Sequence, residues 1–155
     1  MRNKTSERWI RDNAFVAAAV EPTYYRALLA ICCHESAEGG MAGESHLARE
    51  HHNYCGMGAV PHRPATADGF RIFGSLKECL ICLRWHAFHS IFYADAARAL
   101  RSAEDAGIPI RDREVIMIRQ MSDDGPGPDE SYCPTDPEWA DKVIHWLDYI
   151  WELLP

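Results

Sequence analysis

Between Ala27 and Met57 the chain reads ALLAICCHESAEGGMAGESHLAREHHNYCGM, an apolar helix that closes on a carboxylate. Leu28, Ile31 and Cys32 recur at helical spacing, and Glu35 falls in phase with them, on the stripe that faces a core. Gly39 and Gly40 end the helix, so the acid also stands near the negative end of the helix dipole. Burial and dipole together raise a carboxyl pKa, the condition for donating a proton at neutral pH. The pattern alone also fits, and more often means, a glutamate turned to water at a fraying helix end.

At 155 residues the chain makes one domain, 1–155, with room for a core that needs no staples. The net charge of −7 argues against a nucleic-acid partner and gives no steering toward an anionic surface. No segment reaches membrane-spanning length. Ala14 to Val20 is apolar but short and runs into Glu21-Pro22, so no secretory signal is read there. Of six cysteines, Cys32 and Cys33 are adjacent and Cys79 and Cys82 fall inside a helical pattern, which suits reduced, mostly buried thiols. Cys79, Cys82 and His86 could share one helical face, but a structural zinc site needs a fourth ligand, and neither metal nor cofactor is expected.

The pattern predicts a first helix over Ser6 to Val20, broken by Glu21-Pro22, and then the helix carrying Glu35. A short helix follows over Ser45 to His51. Two brief extended pieces, Tyr54 to Val60 and Gly69 to Phe73, read as a small hairpin. Ser75 to Glu78 is a capping box, and the helix it opens is apolar almost all round, so it is expected at the centre of the domain. Helices over Asp95 to Asp105 and Arg113 to Met121 come next. Ser122 to Ser131 reads as a mobile flap. Asp136-Pro137 then start the last helix, whose buried face runs Ala140, Val143, Leu147, Ile150, Trp151 and Leu154.

Several blocks resemble one known family. Glu35-Ser36, then Ser45-His46-Leu47-Ala48, then Asn53-Tyr54-Cys55-Gly56-Met57 are similar to the run Glu-Ser-Gly-Trp-Gly, Ser-x-Leu-Ala and Asn-Leu-Phe-Gly-Ile of the N-acetylglucosaminidases of glycoside hydrolase family 73. Phe70-Arg71-Ile72-Phe73-Gly74-Ser75 resembles the family's Phe-Arg-x-Tyr-x-Ser. The stretch from Tyr132 to Lys142 resembles its Tyr-Ala-Thr-Asp-Pro-x-Tyr-Ala-x-Lys. The blocks keep the family's order across most of the chain. The resemblance implies a mainly helical α+β domain, lysozyme-like, with a small β-hairpin lobe.

It also implies a chemistry. Glycoside hydrolysis needs an acid for the leaving oxygen, plus a second carboxylate or help from the substrate's own N-acetyl group. Glu35 matches the family acid. The extra residues around Glu38 to Met41 leave Glu38 as an alternative, disfavoured because Glu35-Ser36 keeps the family dipeptide. The hairpin's only acid, Asp68, is the candidate second carboxylate, and an Asp-Gly turn residue fits it as well. Tyr132 matches a tyrosine of the cleft. Asn53, Tyr54, Phe70 and Trp139 are the candidate substrate-binding residues, Asn53 more by holding the loop backbone than by touching sugar. His34, beside the acid, could tune it.

The expected activity is an endo-acting N-acetylglucosaminidase on the peptidoglycan glycan strand, working as a monomer. A lytic transglycosylase or muramidase on the same scaffold is the near alternative. A non-catalytic wall-binding or assembly module, in a phage tail or flagellar apparatus, is the distant one. With no signal read, delivery to the wall would fall to a holin, a phage particle or a secretion machine.

Overall fold

Helix α2, Tyr25–Glu35, carries an unbroken buried run from Ala27 to Cys33. Such a helix has no wet side and must be surrounded. In the computed structural model, which describes residues 2–89, 93–123 and 136–155, it is surrounded. It packs most extensively on α7, Trp139–Leu153, and also meets α1, Lys4–Val20, α4, Leu76–His89, and α6, Ile110–Asp123. Two further helices, α3, His46–His51, and α5, Ala94–Asp105, complete the order. No described helix is long and apolar enough to cross a membrane.

The central position belongs to α2, not to α4 as the apolar count of the latter suggests. Leu76, Cys79, Leu80, Leu83 and Ala87 of α4 are buried, but Ile81 and Trp85 stand 51% and 53% exposed. Helix α4 is therefore a wall of the domain, with an apolar outer stripe. Its start follows the capping box: the Glu78 N–H donates to Ser75 Oγ (3.2 Å), and Glu78 Oε2 accepts from the Gly74 N–H (2.7 Å).

Helix α1 begins earlier than its apolar pattern, because Asn3 caps it through the Ser6 N–H (2.8 Å). The same asparagine donates to Gly40 O (3.0 Å), and Ser6 Oγ accepts from the Ala42 N–H (3.1 Å). The start of α1 thus braces the loop that follows Glu35. Asp136 does not open α7; it forms a turn ahead of it, accepting from the Glu138 N–H (3.0 Å), and the helix begins at Trp139. The two expected hairpin pieces pair through one isolated antiparallel bridge, Gly58 with Phe70, and not as full strands; a second bridge, Ala65 with Arg71, ties the intervening loop to the same segment. The alternation there is too brief to sustain a ladder. The Ser122 to Ser131 flap lies, apart from its first two residues, outside the described residues, as do Tyr132 and Cys133.

Candidate active site

Glu35 is the last residue of α2, and Ser36 ends the helix beneath it. Ser36 Oγ donates to Cys32 O (2.6 Å) and accepts from the Gly43 N–H (2.8 Å), while Ser36 O accepts from the Ser45 N–H (2.9 Å). The residues between are pinched off as a side loop, closed by paired backbone bonds between Glu38 and Met41 (both 3.1 Å). Gly43 has φ +78°, and a Cβ there would lie 2.3 Å from Trp9 Nε1, so only glycine fits. The loop turns at Gly39-Gly40, both at positive φ, and Glu38 is exposed on it, whereas Glu35 is half-buried.

The side chain of Glu35 is half-buried and anchored at one oxygen. Trp139 Nε1 donates to its Oε1 at 2.5 Å. Oε2 faces Gly56, 3.8 Å from where a Cβ on that residue would stand. Burial raises the Glu35 pKa, the indole bond opposes the rise, and the charge of Asp136 adds to it. The acid opens on a cavity of about 210 Å³ walled by Cys55, Gly56, Met57, Gly58, His86 and Tyr93. A carboxyl with one oxygen fixed and one facing a cavity, its pKa raised by burial, can donate a proton at the open oxygen.

The loop opposite the acid is held by Asn53, which is 1% exposed. Its Nδ2 donates to Met57 O and Arg71 O (both 2.9 Å), and its Oδ1 accepts from the Met57 N–H (3.0 Å). Every polar atom of the side chain is thus engaged with backbone, so Asn53 shapes the loop and has nothing left for sugar. Trp139 also departs from its expected role: it is fully buried and serves the acid from behind. Tyr54 leans on Trp9 (ring centroids 5.6 Å apart), and Phe70 is half-buried at its bridge.

Asp68 does not wall the Glu35 cavity. It is exposed at the hairpin tip, and a hydrogen bond with Thr66, helped by its own backbone and by His46 and His51, holds its carboxyl below the usual range. His34 points the other way, into a hollow beside Glu138, Lys142 and His145 on the α7 side, and burial lowers its pKa. Beneath the loop, Cys55 Sγ lies 3.0 Å from Cys79 Sγ and 3.5 Å from Cys32 Sγ, all buried and unbridged. Among the described residues no group of His, Cys, Asp and Glu is arranged to hold a metal ion.

Pattern reading did not anticipate Gly56, His86 and Tyr93 as cavity walls. Gly56 had a signal in its motif, since its left-handed φ of +68° favours glycine. His86 and Tyr93 had none, because nothing local says which turn of α4 meets the acid.

A helical domain with a raised, half-buried glutamate at the floor of a cleft has the form of an acid-dependent, lysozyme-like glycosidase. The profile of the glucosaminidase family, described as mannosyl-glycoprotein endo-beta-N-acetylglucosaminidase, matches residues 12–151. The chain therefore belongs to the glucosaminidase family, whose members are peptidoglycan hydrolases. No curated protein and no solved structure matches it.

Proposed function

We propose that the protein is an endo-β-N-acetylglucosaminidase that cuts the glycan strand of peptidoglycan, with Glu35 as general acid. The observation that carries this reading is the asymmetric Glu35 carboxyl: Oε1 on the Trp139 indole, Oε2 toward the Gly56 cavity. Glu35 gives its proton to the leaving glycosidic oxygen as the bond from C1 breaks. The electron deficiency at C1 is met from the opposite face by an internal or external partner.

Two groups can fill that role. The acetamido oxygen of the cleaved sugar can bond to C1, giving a cyclic oxazolinium; water then opens the ring and returns a proton to Glu35. Asp68 is the alternative, the hairpin's one acid and ionised at neutral pH, provided the hairpin closes over bound sugar. The position of Asp68 outside the cavity favours the acetamido route.

The test is turbidity loss of purified cell walls, with thermal melts alongside. Glu35→Gln is expected to lose on the order of 10²–10⁴-fold in rate, the usual contribution of a general acid. Glu38→Gln should behave as the parent, since Glu38 is exposed on a side loop. Asp68→Asn decides between partners: near-complete loss assigns the second carboxylate, and a mild effect assigns the acetamido group. Clearance by Glu35→Gln at the parent's rate would overturn the assignment.

A further inference from the structure

Beside the acid cavity, and sharing His86 with it, runs a separate groove of about 960 Å³ between the hairpin and the outer stripe of α4. Its apolar wall includes Ile81 and Trp85, spaced four apart on α4 and half exposed, with Phe73 and Val60 from the hairpin side. An exposed Trp and Ile aligned on one helix face are costly in water and point to an occupant. The groove also holds Arg71. Its Nη1 donates to Cys82 Sγ (3.0 Å), a weak acceptor, and its buried Nε has no acceptor among the described residues. No carboxylate pairs with it among the described residues.

The backbone of Arg71 is fixed from both sides. Its N–H donates to Met57 O (2.9 Å), and its O accepts from Asn53 Nδ2 (2.9 Å). The guanidinium itself lies over the Phe73 ring (5.7 Å to the centroid) and touches Cys82, so it stands at an apolar wall with no oxygen acceptor among the described residues. Arg63 adds a second cation to the groove. Glu78, the one acid among its walls, is turned to the Gly74 N–H. This cationic, apolar strip lies on a chain whose net charge is −7.

We propose that the groove is a subsite for the peptide stem of the substrate, with a stem carboxylate on Arg71 and small apolar stem side chains against Trp85 and Ile81. The inference rests on the glycan-cleaving reading, and it deepens it: the enzyme would select strands that still carry their peptides. A stem branches from a sugar next to the cleaved bond, and this groove adjoins the acid cavity at His86.

Two substrates separate the possibilities: glycan strands bearing stems, and strands stripped by an amidase, which keep the lactyl carboxylate and lose the peptide. Trp85→Ala, at an exposed position, and Arg71→Gln should each raise KM on stem-bearing strands about tenfold, the loss expected for one charge-assisted contact or one ring of apolar cover. Both should leave kcat and the stripped-strand KM unchanged. Arg71→Lys should recover part of the loss, since it keeps the charge and lacks the fork. Equal losses on both substrates would overturn the proposal and place the carboxylate on the sugar. Unchanged KM values would also overturn it. Should the parent cut neither substrate, the glycosidase reading fails, and titration of a free stem peptide still tests the groove. Saturable shifts at Trp85 with Kd of about 1 mM or below support it, and no shift refutes it.

Discussion

The two ends of α2 each meet a buried glutamate that is held by an indole of α7, and the two glutamates do opposite things. At the N-terminal end, Glu114 of α6 is fully buried; its Oε2 accepts from the Ala27 N–H (2.6 Å) and its Oε1 from Trp151 Nε1 (2.9 Å). Burial lifts its pKa to about 7, and those two donors work against the rise. At the C-terminal end, Glu35 has one indole bond, from Trp139, and one oxygen facing a cavity. Glu114 is a fastening, with both oxygens used on donors. Glu35 is, under the proposed function, the reagent, and among the described residues one of its oxygens faces the cavity instead of a protein donor. A raised carboxyl pKa is thus no sign of catalysis by itself; the free oxygen and the cavity beside it make the difference.

Replacing each glutamate by glutamine should pull the pair apart. In Glu35→Gln the amide oxygen still accepts from Trp139 and the NH₂ faces the cavity, so the melting temperature should hold or rise while cleavage is lost. In Glu114→Gln the NH₂ must face an N–H donor at Ala27 or Trp151, leaving a buried clash of donors. A loss of roughly 1–3 kcal/mol in denaturant unfolding is expected, with activity per folded molecule retained. A destabilised Glu35→Gln beside an unaffected Glu114→Gln would reverse the comparison.

The pH dependence distinguishes them next. Glu114 is raised from the ordinary 4.5 to about 7, so the folded state holds its proton where the unfolded chain has released it. Stability should therefore fall as pH rises across that window, by up to on the order of 3 kcal/mol, and level off above it. Urea melts from pH 4 to 8 check this, and Glu114→Gln should flatten the slope. Deprotonation of Glu35 has the same sign for stability, but its signature is in the rate. Cleavage should decline on the alkaline side at a pH above the usual carboxylate range, and a decline at the unshifted value would contradict the burial.

Trp139→Phe removes the one contact that stabilises ionised Glu35 among the described residues. The alkaline limb of the rate profile should move to higher pH, with a rate loss of about tenfold and some loss of stability from the vacated indole volume. An unmoved limb would mean the bond does not tune the acid. Gly56→Ala is the smallest change. The left-handed φ of +68° costs about 1 kcal/mol, and the methyl stands 3.8 Å from Oε2, so KM should rise modestly while the pH profile stays put.

The half-buried position of Glu35 was legible because it is written locally, in the phase of an apolar stripe. The helix stops there at Ser36, ahead of the Gly39-Gly40 pair expected to end it, because Ser36 Oγ turns back to Cys32 O; the Ser75 capping box was readable as local chemistry. Helix α4 misled because composition counts apolar residues without saying which face is covered; Ile81 and Trp85 look like core and line an outer groove. The backbone-holding role of Asn53 was legible in its motif, and its three bonds to Met57 and Arg71 fit it, whereas Trp139 was expected against sugar because the partner that claims it, Glu35, is distant in sequence. Glu114 left no trace, because an acid that follows Arg111, Asp112 and Arg113 reads as a wet helix position. Its burial is explained by Ala27 and Trp151, brought to it by the packing of α6 on α2 and α7.

The central claim, that Glu35 drives cleavage at N-acetylglucosamine, is tested most directly by mass spectrometry of the chain ends in wall digests made with the parent and with Glu35→Gln. The account predicts new reducing-end N-acetylglucosamine from the parent and none from the variant. Reducing-end or anhydro muramic acid from the parent, or the same N-acetylglucosamine ends from Glu35→Gln, would contradict it.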